Sequence, residues 1–197
     1  MEAFIHFLKN NTGLKQQSDI DFIIENAECR ILKKGDYLLR KGAPLNFAVF
    51  VEKGLLKQSV LSSEGKEHVF LFWAEGLFES HLDAMLNRNQ TFNIDIQAIE
   101  ESILYIIPHS IIEHYYNSNT DFALFNNKLM QAHISCARDR VKKLIGESAE
   151  TRYMSFMAEY GHIAHRLPVA LIAAYVGITR ESLSRLRSDL AQHKNKK

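Results

Sequence analysis

The chain has 197 residues, 46% of them hydrophobic and 24% charged, enough apolar material for a real core in one large or two small domains of a soluble globular protein. Its net charge of +1 conceals an asymmetry. Residues 138–197 hold 12 Lys or Arg against 6 Asp or Glu, and residues 1–137 hold 12 against 17, the split expected of an acidic body with a nucleic-acid-binding tail. Only Cys29 and Cys136 occur, without a C-x-x-C pair, so neither a disulfide framework nor a zinc ribbon is indicated, and both thiols are expected as small buried hydrophobes. With no signal-like start and no run of about 18 apolar residues, the reading is a cytoplasmic protein with no membrane partner.

In chain order, Phe4, Ile5, Phe7 and Leu8, then Ile20, Phe22, Ile23 and Ile24, flank a polar segment with Gly13. Two short helices are predicted, the second N-capped by Ser18. From residue 28 to 108 the texture changes to short Val-, Ile-, Leu- and Phe-rich runs punctuated by Gly35, Gly42, Gly54, Gly65 and Gly76. Turn signals at such intervals argue for an antiparallel barrel or sandwich, not a parallel sheet with crossover helices. Strands are predicted at 47–52, 55–61, 68–73, 92–99 and 103–107, with a hairpin turn at Ser63-Glu64-Gly65-Lys66. Residues 75–90 loosen into a loop and then a short helix through Leu82, Met85 and Leu86; an inserted helix start is a natural place to hold a small anion.

Residues 110–146 read as one long helix. Phe122, Phe125, Leu129, Ala132 and Cys136 step by three and four, a seam that either packs on the chain's own sheets or pairs with a twin helix. In the paired reading the two phenylalanines touch the sheets and Leu129 to Cys136 meet the partner; Arg138, Arg140, Lys142 and Lys143 then mark a solvated or DNA-proximal stretch. A further amphipathic helix is predicted over 152–160 through Tyr153, Phe156 and Met157.

The most informative stretch is 168–190. Pro168 suits a first helical turn, and Val169, Ile172, Ala173 and Val176 share one face. Gly177 permits the positive φ of a sharp turn, Ile178 plugs the angle, and Thr179 can N-cap a second helix. There Leu183, Leu186 and Leu190 form the apolar stripe, leaving Arg180, Glu181, Ser184, Arg185 and Ser188 to the opposite side. Arginine's paired donors match guanine O6 and N7, glutamate accepts from cytosine N4, and small serines let a helix sit deep in a groove.

A glycine-punctuated sheet domain, a long helix with a heptad seam and a C-terminal helix-turn-helix, in that order, resemble the Crp/Fnr family of bacterial transcription regulators over essentially the whole chain. The most specific match is Gly177-Ile178-Thr179-Arg180-Glu181-Ser182-Leu183-Ser184-Arg185, similar to that family's turn and recognition helix. Lys34-Gly35, Gly42 and Gly54 resemble its cyclic-nucleotide-type barrel. The resemblance implies an α+β chain: an antiparallel, jelly-roll-like β-roll sensor domain with N-terminal helices over 1–109, a dimerisation helix over 110–146, and a winged helix-turn-helix domain over 147–197. It implies a homodimer on a near-palindromic duplex DNA site, with recognition helices in successive major grooves and Arg180, Glu181 and Arg185 as base readers; Thr179, Ser184 and Ser188 complete the expected DNA-binding set. The dimer seam is expected at Phe125, Leu129, Ala132 and Cys136.

At the effector site the sequence departs from the family. Nucleotide-binding members carry a Gly-Glu pair for ribose and an Arg-Ser or Arg-Thr pair for phosphate, where this chain has Phe78-Glu79-Ser80-His81 and Thr91-Phe92-Asn93. Without that arginine a cyclic phosphate loses its bidentate partner, so Phe78, Glu79, Ser80, Thr91 and Phe92 mark a candidate pocket with an unknown small-molecule effector or none. No cofactor or metal is expected: the N-terminal cysteine set of iron–sulfur members is absent, and nine histidines lack metal spacing. The leading expectation is a DNA-binding regulator. A ligand-binding module whose C-terminal domain contacts protein is the alternative, and an enzyme using Glu79 and His81 as an acid–base pair lacks any supporting motif.

Overall fold

The computed structural model describes residues 1–81 and 91–194. Two helices open the chain, α1 (Glu2–Asn11) and α2 (Gln17–Asn26). Among the described residues eight strands follow: β1 (Glu28–Leu32), β2 (Tyr37–Leu39), β3 (Phe47–Lys53), β4 (Leu56–Leu61), β5 (Glu67–Trp73), β6 (Phe78–Glu79), β7 (Asp95–Ala98) and β8 (Ser102–Pro108). They form two four-stranded sheets, ordered β1-β8-β3-β6 and β2-β7-β4-β5, so the architecture is a sandwich and not a closed barrel. Then come α3 (His109–Ser118), α4 (Thr120–Gly146), α5 (Ala149–Tyr160), α6 (Val169–Val176) and α7 (Arg180–Lys194), with a 3₁₀ turn at Ala164–Arg166. The short helix expected through Leu82, Met85 and Leu86 lies outside the described residues.

Contacts divide the chain into two units, Met1–Gln58 with Phe72–Ser135, and Ser59–Leu71 with Cys136–Lys197. In the first, the β3–β4 turn requires glycine. Gly54 has φ +105, and a Cβ there would lie 2.3 Å from Ser102 Oγ. One apolar cluster joins α1 and α2 to β3, β8, α3 and the start of α4 through Phe4, Leu8, Ile20, Ile23, Phe50 and Phe122. Phe4 stacks on Tyr105 at 4.7 Å, and Phe78 lies 5.1 Å from Phe7 and 5.8 Å from Phe125. Burying each such ring stabilises the fold by roughly 1.5–3 kcal/mol, which explains why helices with little charge pairing hold their place.

Several expectations change. The long helix is broken at Asn119, which adopts an extended conformation and whose Oδ1 accepts from Phe122 N–H at 3.0 Å, an N-cap that starts α4 afresh. Gln16, not Ser18, precedes α2. Phe125 packs against the core of its own unit, as the paired reading of the seam expects, and Leu129 packs there too, whereas Ala132 and Cys136 are exposed. The large apolar residues left exposed on α4 are Leu124, Met130, Ile134, Val141, Leu144 and Ile145, with Ile134 59% and Val141 54% exposed. Neither cysteine is buried: Cys29 is exposed on β1, an edge strand, and Cys136 on α4. Among the described residues no strand follows Pro108, so the helix-turn-helix carries no wing there.

Candidate nucleic-acid interface

α6 ends where its sequence dictates. Gly177 adopts φ +78, and the N–H groups of Gly177 and Ile178 both donate to Ala173 O, at 2.9 and 3.0 Å, satisfying carbonyls that a helix end otherwise leaves orphaned. Thr179 then caps α7, its Oγ1 accepting from Ser182 N–H at 3.2 Å. Leu183 is fully buried and Leu186 and Leu190 are half-buried, which turns Arg180, Glu181, Ser184, Arg185 and Ser188 outward together. The sequence-predicted readers thus occupy one exposed face. Two of the six expected contacts are engaged locally: the Thr179 hydroxyl serves as the cap, and the Glu181 carboxylate is held below its ordinary pKa first by its own backbone N–H and then by Thr179, with Arg180 and Arg185 adding attraction. Arg187 points the other way, its Nε donating to Tyr153 Oη at 3.1 Å.

Behind this face two guanidiniums, absent from the predicted site, grip the end of α6. Arg140 donates from Nη2 to Tyr175 O at 2.6 Å and to Val69 O at 2.9 Å, and its plane lies 3.7 Å over the Tyr175 ring. Arg152 donates to Val176 O at 2.8 Å and to Glu147 O. Cations at a helix C-terminus also oppose the negative end of its dipole. Tyr175 in turn donates to Glu159 Oε2 at 3.2 Å, and burial pushes its hydroxyl well above the ordinary tyrosine pKa. The sequence marked Arg140 only as a member of a basic cluster; partners 71 and 35 residues away leave no local signal.

In the two β-sheets the candidate pocket residues separate. Phe78 belongs to the aromatic core, Thr91 is exposed in an isolated bridge with Pro44, and Glu79 and Ser80 are buried. Glu79 lies 3.8 Å from His81 Nδ1 and 3.4 Å from His133 Nε2, His109 Nε2 lies 2.9 Å from Ser80 O, and the Phe92 ring is 6.2 Å from His81. Burial first, then repulsion from His109 and His133, lowers the His81 pKa to about 3, so the imidazole is neutral there at physiological pH. His81 also has φ +44. His133, on α4, is the residue here that spacing did not suggest.

Known proteins bear on both parts. Residues 29–119 match the family model described as cyclic nucleotide-binding domain. Over 92% of this chain and 74% of its own length, the electron transport regulator A of Shewanella oneidensis is 24% identical, and the fumarate and nitrate reduction regulatory protein of Yersinia pestis is 26% identical over the same shares. Among solved structures, FixK2 from Bradyrhizobium japonicum aligns with a TM-score of 0.74 at 19% identity, covering 85% of this chain and 86% of that one. A Crp/Fnr-family regulator from Eubacterium rectale aligns with a TM-score of 0.72 at 22% identity, covering 90% and 85%.

Proposed function

We propose that this chain is a transcription regulator of the Crp/Fnr kind, like the relatives it matches, and that it binds a near-palindromic duplex site as a homodimer, with α7 in the major groove. Arg180 and Arg185 read guanine edges, Ser184 and Ser188 permit close approach, and Glu181 serves the helix start as well as any base contact. The division into a sensor over 1–109, a dimerisation helix over 110–146 and a DNA-binding domain over 147–197 is part of the same reading, as are action in the cytoplasm and the absence of catalysis. The relatives matched are regulators, not enzymes.

The observation that carries the proposal is the single exposed face of Arg180, Ser184, Arg185 and Ser188 set by the Gly177 turn. Dimerisation draws on a different stripe from the one the sequence suggested. Met130, Ile134, Ala137, Val141 and Leu144 step by four, three, four and three along α4 and are all exposed, the pattern of a helix awaiting a second copy. For the sensor, residues 91–94 contain no arginine to pair with a cyclic phosphate. The effector is therefore something other than a cyclic nucleotide, or none.

Selection of bound sequences from random DNA tests the proposal, with a two-fold-related motif of half-sites about one helical turn apart as the expected outcome. On that motif Arg185→Ala should weaken binding by about 1–3 kcal/mol and relax one base position. Unchanged affinity and preference would remove Arg185 from the readers. A flat salt dependence with DNA would instead favour a C-terminal domain that contacts protein.

A further inference from the structure

The C-terminal half of α4, together with α5 and α6, frames a partly open cavity of about 210 Å³. Its apolar walls are Leu144, Phe156, Tyr175 and Val176. A dry cavity of about 150 Å³ holds a benzene ring, so this one has roughly 60 Å³ left for a polar substituent beside such a ring. The lining charges identify that substituent. Arg140 and Arg152 are already committed to backbone carbonyls, Asp139 pairs with Lys142 at 3.7 Å, and Glu159 accepts from Tyr175. Lys143 and Ser155 also line the cavity, and among the described residues neither side chain makes a hydrogen bond or ion pair. An uncommitted ammonium beside a hydroxyl suits one carboxylate; a phosphate dianion would be opposed by Asp139 and Glu159.

We propose that this cavity is an effector site for a small monocarboxylate of about ten non-hydrogen atoms, separate from the sensor sheets. Its wall includes Tyr175 and Val176, the last two residues of α6 before the Gly177 turn that sets the recognition helix. A ligand seated there bears directly on the element that presents α7. The effect on DNA rests on the function proposed above; occupation of the cavity does not.

The probe is benzoate, titrated into the full chain by calorimetry and by ligand-observed NMR, with benzylamine and inorganic phosphate as controls. Benzoate should bind saturably with a dissociation constant on the order of 1 mM or below, and benzylamine and phosphate at least about tenfold more weakly. Lys143→Gln, and separately Ser155→Leu, which fills the space, should each weaken benzoate about tenfold or more with the urea midpoint unchanged. The absence of saturable benzoate binding, equal binding of benzylamine, or binding that survives both substitutions overturns the site. In a DNA titration benzoate should shift affinity about threefold or more for the wild-type chain and not for Lys143→Gln; benzoate binding with no shift overturns the effector role. If the chain fails to bind DNA at all, the recognition-helix reading fails while the calorimetric result for the cavity still stands.

Discussion

Replacing Arg140 by alanine tests whether the grip on α6 holds the DNA-binding domain together. The guanidinium makes two charge-assisted hydrogen bonds, to Tyr175 O at 2.6 Å and Val69 O at 2.9 Å, and one stacking contact at 3.7 Å. Taken singly these are worth about 1.5–3 kcal/mol per hydrogen bond and about 0.5–1 kcal/mol for the stack. Arg140 is only half-buried, so water can reach the carbonyls once the side chain is gone, and the net loss should be about 2–3 kcal/mol. Arg140→Lys keeps a charge at the end of α6 but loses the planar fork, and should lose roughly half as much. Urea unfolding followed by circular dichroism gives the difference. Native-state hydrogen exchange localises it, since the Gly177 and Ile178 amides that close on Ala173 should exchange faster in Arg140→Ala. A loss below about 0.5 kcal/mol, within the range of ordinary surface changes, together with unaltered exchange at those amides, would refute the grip.

Three further outcomes are expected. Ile134→Glu with Val141→Glu should turn a dimer into a monomer by sedimentation equilibrium with little change in melting, because both side chains are more than half exposed; a surviving dimer would rule out that stripe. Gly177→Ala should cost about 1–2 kcal/mol in urea unfolding, all of it from the backbone, since the new Cβ at φ +78 would meet only Leu144 Cδ2 at 3.5 Å; a neutral result would mean that the turn is not fixed. His81 has a folded-state pKa lowered to about 3 from 6.5, so between those values the unfolded chain binds the extra proton. Stability should therefore rise with pH across that window and fall away on acidification by about 1.4 kcal/mol per pH unit. His81→Gln should flatten that limb, and an unchanged acid profile would contradict the buried neutral imidazole.

What the sequence made legible was whatever is decided within a few residues. The α6 and α7 pair follows from Ile172, Ala173 and Val176 on one face, a glycine able to reach φ +78, and a threonine cap, all local signals. The long strands are legible for the same reason, and β7 shows the alternation of Asp95, Ile96, Gln97 and Ala98 directly in its burial. β6 is only two residues long and exists because β3 pairs with it, Val49 with Glu79 and Phe50 with Phe78; no window of sequence contains that information. The break at Asn119 is a cap signal that the surrounding apolar periodicity masks. The wing is implied by family likeness alone, and among the described residues no strand follows Pro108 to carry it.

The seam on α4 shows where periodicity itself stops being informative. Phe122, Phe125 and Leu129 form one stripe at three- and four-residue steps, and Met130, Ile134, Ala137, Val141 and Leu144 form another. They differ in phase by one residue, about 100° around the helix. The first stripe meets the core of its own unit through Phe78 and its neighbours, so much of its surface is already taken. A helix that serves its own core and then a second copy must rotate its apolar face between the two tasks, and α4 does so between Leu129 and Met130. The second stripe runs to within two residues of Gly146, just before the Ser148 cap of α5. In a dimer built on that stripe, the pairing would fix the point from which each DNA-binding domain departs, and with it the separation of the two recognition helices.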